Sequence, residues 1–151
     1  MLLMTTLPTL LQPENIFLDI DADSKSALFR KIGQFFGQRY GLREAEVIES
    51  LVSRENLGST GLGKGVAIPH GRIQGLRYPY AAFVRLKVPI DFDSPDGSAV
   101  QLLFFLLVPE QATEQHLDIL SEMAQLLSDQ AKRQTLQTGL VEDVMHVLRI
   151  S

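Results

Sequence analysis

The stretch Val100–Val108, VQLLFFLLV, is apolar at every position except Gln101, and it limits the fold more than any other segment. Its uninterrupted part, Leu102 to Val108, is far shorter than the roughly 18 residues a membrane-spanning helix needs. Side chains of a strand point alternately to its two faces. A strand that is apolar on both faces must be covered on both, as a central strand of a sheet between two layers is. The rest of the chain has to supply two covers.

It supplies them in a simple order. Ile16–Ile20 is a short strand candidate. Asp23 or Ser24 then caps a helix with Leu28, Ile32, Phe35 and Phe36 on one face, ended by Gly41. A second helix starts near Arg43, turns Val47, Ile48, Leu51 and Val52 inward, and stops at Gly58. Three strands follow, at Gly65–Ile68, Tyr80–Lys87 and Val100–Val108, the last two separated by a Pro95-Asp96-Gly97 turn. Thr113 caps a helix carrying Leu117, Leu120, Met123, Ala124 and Leu127. A shorter one spans Asp129–Thr138, and Leu140, Val144, Val147 and Leu148 close the chain at helical spacing. The expectation is an α/β domain of three layers, helix, mixed sheet, helix, with element order β-α-α-β-β-β-α-α-α. It covers residues 16–151, preceded by an N-terminal arm, residues 1–15.

Composition removes several function classes. The chain has no cysteine, which excludes disulfide frameworks, zinc ribbons and thiol nucleophiles and fits a reducing, cytoplasmic location. A net charge of -4 argues against a duplex nucleic acid or an anionic membrane surface as partner. The opening MLLMTTLPTLLQPENIF carries no charge before Glu14, so it lacks the basic leading region of a secretory signal. It reads as a docking arm or a loose terminus, with no membrane insertion.

Chemistry concentrates in GSTGLGKGVAIPHGR, Gly58 to Arg72, where Gly58, Gly61, Gly63, Gly65 and Gly71 crowd toward Pro69-His70. Gly58, Gly63 and Lys64 fit the nucleotide-binding pattern G-x-x-x-x-G-K-[ST], but Gly65 stands where a hydroxyl should hold magnesium. Pro69 also lies where the phosphate-facing helix should run. The pattern G-x-G-x-x-G fails as well, with Val66 in its last place. A smaller idea survives: successive amides free of side-chain bulk form an anion-binding concavity. The hydroxyls of Ser59 and Thr60 add donors to Gly58, Gly61 and Gly63. The alternative is a tight helix-to-strand crossover.

His70 sits beside that loop, at a strand end, and neutral imidazole is a good nucleophile near pH 7. If one ring nitrogen donates to a carbonyl, the other is left bare and aimed outward. Phosphorylated there, the ring becomes a way-station for a phosphoryl group, whose charge needs preorganised donors. Arg54, in the last turn of the second helix, is the best donor, or else a cation at a helix C-terminus. Lys64 and Arg72 are weaker ones. His116 falls in the first turn of the helix after Thr113, as a donor or a plain surface residue. His146 has no evident partner and reads as structural. Three histidines without ligand spacing make a poor metal site, and Asp91, Asp93 and Asp96 lack the calcium-loop spacing. No metal and no cofactor are expected.

SRENLGSTGLGKGVAIPHGR resembles the active-site signature of the fructose/mannitol-type enzyme IIA domains of the bacterial phosphotransferase system. The resemblance continues through PIDFDSPDG, LLFFLLVPE and QHLDILSEMAQLL, and the chain is most similar to the family's single-domain, nitrogen-regulatory branch. The resemblance implies a mixed sheet between helical layers and a histidine, matching His70, phosphorylated by an HPr-like carrier (NPr in the nitrogen branch). Arg54 and His116 match positions near it, and Ser59 and Thr60 match loop hydroxyls. It further implies a phosphotransferase component that acts mainly as a regulator, with partners such as potassium transport components or sensor kinases. A sugar-transport enzyme IIA passing phosphate to a IIB domain, or a non-covalent anion-binding module, is the alternative.

Overall fold

The computed structural model describes residues 6–111 and 113–150. In chain order they form α1 (Leu7–Leu10), β1 (Ile16–Ile20), α2 (Lys25–Tyr40), α3 (Glu44–Asn56), β2 (Gly61–Gly63), β3 (Val66–Ala67), β4 (His70–Ile73), β5 (Tyr80–Ile90), β6 (Val100–Pro109), α4 (Glu114–Ser128), α5 (Gln130–Thr138) and α6 (Val141–Arg149). A 3₁₀ turn at Pro13–Asn15 precedes β1.

The apolar run is the middle of the sheet. β6 pairs antiparallel with β5 along one side and parallel with β3 and then β4 along the other. β1 adds to β5 in parallel and β2 to β3 in antiparallel fashion, giving the order β1-β5-β6-β3-β2. The alternation of side chains divides the core. Leu102, Phe104, Leu106 and Val108 pack with Ile119, Met123, Leu136 and Val144 of α4, α5 and α6. Leu103, Phe105 and Leu107 pack with Leu28, Phe29, Phe36, Val47 and Leu51 of α2 and α3. Burial of Leu102 through Leu107, all inaccessible to solvent, contributes on the order of 10 kcal/mol before the entropy of ordering the strand is subtracted.

Local signals place the helices. Ser24 Oγ accepts the Ala27 N–H at 3.1 Å and starts α2, which Gly41 ends in the left-handed region at φ 69°. The arm is partly within the described residues. Leu7 and Leu11 are fully buried in the same cluster as Phe83 and Met145, so residues 7–11 seal one face of the sheet.

The strand expected at Gly65–Ile68 is present as β3, which makes a small hairpin with β2, and a further strand, β4, begins at His70. Pro69 has no N–H to give a ladder, so one rung is missing, but the register with β6 is kept and Leu106 N–H donates to Pro69 O at 3.0 Å. His70 therefore opens a new strand instead of following the end of one.

One polar clip crosses the core. Arg85, in β5 and only 5% exposed, donates from Nε to Asp19 Oδ1 at 3.1 Å. Its Nη1 reaches the carbonyls of Leu136 and Gly139 at 3.0 and 2.9 Å, tying β1 and the end of α5 to the sheet. Replacing it (Arg85→Met) removes a charged donor from both carbonyls and should lower unfolding free energy by about 2–4 kcal/mol, read by urea denaturation.

Candidate functional site

Among the described residues β4 pairs with β6 alone, so its other edge is open. A cleft of about 580 Å³ lies there. Its floor is His70, Arg72 and Leu106; α3 overhangs it with Ser53, Arg54 and Leu57, and α4 with His116, Leu117 and Leu120. The two helices belong to opposite layers, and the cleft is where both reach past the edge of the sheet. On α3 the lining residues Glu46, Glu49, Ser50, Ser53, Arg54 and Leu57 recur every three or four positions and share one face. Val47 and Leu51 face the core.

His70 is half-buried, with Nδ1 2.8 Å from the Ile68 carbonyl oxygen. A carbonyl can only accept, so Nδ1 carries the proton and Nε2 keeps its lone pair. Beside Ile68, Pro69 and not Ile68 meets the Leu106 N–H of β6, which leaves the Ile68 carbonyl to the ring. Side-chain alternation along β4 puts Gly71 and Ile73 toward α3 and His70 and Arg72 away from it. A Cβ on Gly71 would collide with Ser50 Oγ and lie 3.0 Å from Ser50 Cβ, so only glycine lets β4 lie this close to α3. Ser50 Oγ then donates to the Arg72 carbonyl at 2.8 Å. Burial pushes the His70 pKa below its ordinary 6.5, opposed by the bond to Ile68; Arg54 and Arg72 push it further down and Glu55 pulls it up. The ring is neutral at pH 7.

His116 has the complementary tautomer. The Thr113 N–H lies 3.1 Å from its Nδ1, and an N–H can only donate. Nδ1 is therefore an acceptor, and the neutral ring carries its hydrogen on Nε2. The cleft thus holds one imidazole with a bare Nε2 and another with an Nε2–H donor. Arg54 donates from Nη1 to the Gly58 carbonyl at 2.8 Å, just past the end of α3, and also lines the cleft. The side chain thus stands at the helix end and beside the cleft at once.

The glycine loop lies elsewhere. None of Gly58, Ser59, Thr60, Gly61 or Gly63 lines the cleft, and the loop's donors face the protein. Gly58 N–H binds the Glu55 carbonyl, Thr60 N–H binds Glu55 Oε1 and Gly61 N–H binds Ser59 Oγ. The Thr60 hydroxyl also goes to Glu55 Oε1, and that of Ser59 to the Phe92 carbonyl at 2.7 Å. Gly63, Lys64 and Gly65 turn the hairpin at φ 87°, 57° and 77°. Within that turn the Lys64 N–H holds an anion of the protein's own, Asp96, at 2.9 Å. Asp96 is lowered to about 2, first by the Lys64 N–H and then by Ser98. In this structure the donors of Gly58, Ser59, Thr60 and Gly61 meet partners within the protein, and a carboxylate sits in the turn.

Two features escaped the sequence reading. Leu117, expected in the core, is exposed on the rim of the cleft, because Ile119, Met123, Leu126 and Leu127 form the buried face of α4, while Leu120 packs against the core and also lines the cleft. Glu55 is a buried carboxylate; the signal was present, since it continues the inward series Val47, Leu51 at a spacing of four. His146 lies on the exposed side of α6, outside the cleft.

Comparison with known proteins shows the family and the fold. The family model for the phosphoenolpyruvate-dependent sugar phosphotransferase system, EIIA 2, matches residues 9–150. A nitrogen regulatory protein of Pseudomonas aeruginosa is 38% identical over 144 residues, 95% of this chain and 94% of that one. The crystal structure of Nitrogen Regulatory Protein IIA-Ntr from Neisseria meningitidis superposes with a TM-score of 0.90 at 44% identity, over 94% of this chain and 98% of that one. The crystal structure of IIA mannitol from Escherichia coli shares the fold at 21% identity, with a TM-score of 0.76 over 91% of this chain and 97% of that one.

Because folded His70 binds its proton less tightly than an unperturbed histidine at 6.5, the unfolded chain takes up protons first as pH falls. Stability should therefore decline from about pH 7 through the window between 6.5 and the lowered value, and His70→Gln should flatten that decline in urea unfolding. An NMR titration of the ring should show a midpoint below 6.5; one above it would contradict the assigned burial.

Proposed function

The chain belongs to the EIIA 2 family of the phosphoenolpyruvate-dependent sugar phosphotransferase system, and from that premise we propose that it receives a phosphoryl group on His70 Nε2 from an HPr-like carrier and regulates other proteins by its phosphorylation state. The observation that carries the reading is the Nδ1–H bond to Ile68, which bares Nε2 in a cleft shared with Arg54, Arg72 and His116. The Nε2 lone pair attacks phosphorus, an N–P bond forms, and the bond to the carrier's histidine breaks with its electron pair leaving on that nitrogen. Positive charge develops on the His70 ring, and the Ile68 carbonyl meets it through Nδ1–H. The equatorial oxygens are met by the guanidinium groups and by the His116 Nε2–H.

The rim suits a protein donor. Leu57, 85% exposed, and Leu117, 54% exposed, stand on opposite sides of the cleft and offer apolar contacts around the reacting nitrogen. Once phosphorylated, the same surface gains about two negative charges, enough to change which proteins dock there. The nitrogen regulatory relatives are 38% and 44% identical to this chain against 21% for IIA mannitol, which favours regulatory targets, such as potassium transport components or sensor kinases, over a IIB domain.

Incubation with phosphoenolpyruvate, an enzyme I and an HPr-like carrier should add one acid-labile phosphoryl group. His70→Ala should abolish it, and label persisting in that variant sinks the assignment. Arg54→Ala should slow transfer by about 100-fold, the effect of losing one donor to developing oxyanion charge, with the fold intact by circular dichroism. Binding of free phosphate that survives His70→Ala would instead indicate a non-covalent anion site.

A further inference from the structure

Glu55 is 8% exposed and belongs to neither the cleft lining nor the reacting groups. Its Oε2 pairs with Lys25 Nζ at 2.9 Å, at the start of α2. Its Oε1 accepts from the Thr60 N–H at 3.0 Å and from the Thr60 hydroxyl. The Thr60 carbonyl in turn accepts the Ile68 N–H at 3.1 Å, and the Ile68 carbonyl accepts His70 Nδ1–H at 2.8 Å. A continuous series of hydrogen bonds runs from the Lys25 ammonium to the imidazole. At Thr60 and at Ile68 it enters a residue by the N–H and leaves by the carbonyl, across Cα. Those two groups lie in different peptide planes, so the series transmits position, not polarisation.

We propose that Glu55 is a positioning residue for His70: it fixes Thr60, which fixes the Ile68 carbonyl that selects the ring's tautomer. The inference rests on reading His70 as the phosphoryl acceptor. Ile68 depends on such an anchor because β6 bonds its neighbour Pro69, and its own N–H, on the other side of the strand, goes to Thr60. Lys25 is itself held, 4.4 Å from the Phe92 ring centroid, and Ser59 bonds the carbonyl of the same Phe92. A carboxylate suits the place since both its ends face donors, Lys25 on one side and Thr60 on the other. A carboxamide has one accepting end and one donating end, so glutamine mismatches one of them.

The test is the nitrogen-15 spectrum of the His70 ring in the full chain at a pH where the ring is neutral. The parent should show the Nδ1–H tautomer. In Glu55→Gln the ratio of Nδ1–H to Nε2–H forms should fall by about three- to tenfold, the scale of one net hydrogen bond. Thr60→Val should shift it the same way and Thr60→Ser should restore it. A parental ring spectrum in both Glu55→Gln and Thr60→Val overturns the proposal; where Glu55→Gln does not fold, Thr60→Val, which loses one hydroxyl, decides. The initial rate of phosphoryl uptake should fall in the same variants. If the parent itself takes up no phosphoryl group, the functional reading fails and the ring spectrum still decides the positioning role. Normal uptake with an unmoved spectrum sinks the positioning role alone.

Discussion

Pro69 has no amide hydrogen, and the ladder along β6 has to accommodate that absence. The chain keeps one register with β6 on both sides of it, through Val66 and Ala67 and again from His70, with one rung missing. Ile68 stands beside that gap. Residues of a strand bond alternately to its two sides, and β6 meets the Pro69 carbonyl, so both groups of Ile68 face away from β6. Its carbonyl is the acceptor that orients the imidazole. Its N–H reaches Thr60 and connects the strand to the glycine loop.

The parts of the fold that depend on periodicity were legible. Leu102 through Val108 announced a strand covered on both faces, and the cores on either side divide its residues by parity. Ser24 and Gly41 marked the ends of α2 because caps are local chemistry. The missing rung after Ile68 was also written in Pro69, but the further strand β4 was not. Whether a chain resumes pairing after a proline depends on a partner more than thirty positions away. The inward direction of Leu117 failed for a related reason. α4 carries more apolar residues than one face can bury, and the sheet takes Ile119 and Met123 in preference.

The site divides along the same line. His70, Arg54 and His116 come together as expected. The loop does not join them, and the reason is a matter of acceptors. A run of glycines shows that amides are unobstructed; it does not show what they face. Asp96 and Ser98, which take the Lys64 and Gly65 amides, and Glu55, which takes Thr60, are ordinary polar residues in the sequence. A phosphate-like motif can thus be satisfied by a carboxylate of the same chain, and its resemblance to a nucleotide cradle is a resemblance between two ways of holding negative charge.

β6 is the innermost strand and also the last one in the chain. β1 with β5, and β2 with β3, can each pair without it, but nothing joins these two halves until residues 100–109 arrive. A polypeptide emerging from a ribosome therefore carries His70 and the α3 wall of its reaction cleft before the strand that supports them, with the α4 wall still to come. The edge on which His70 sits comes into being only when the final strand slides between the two halves.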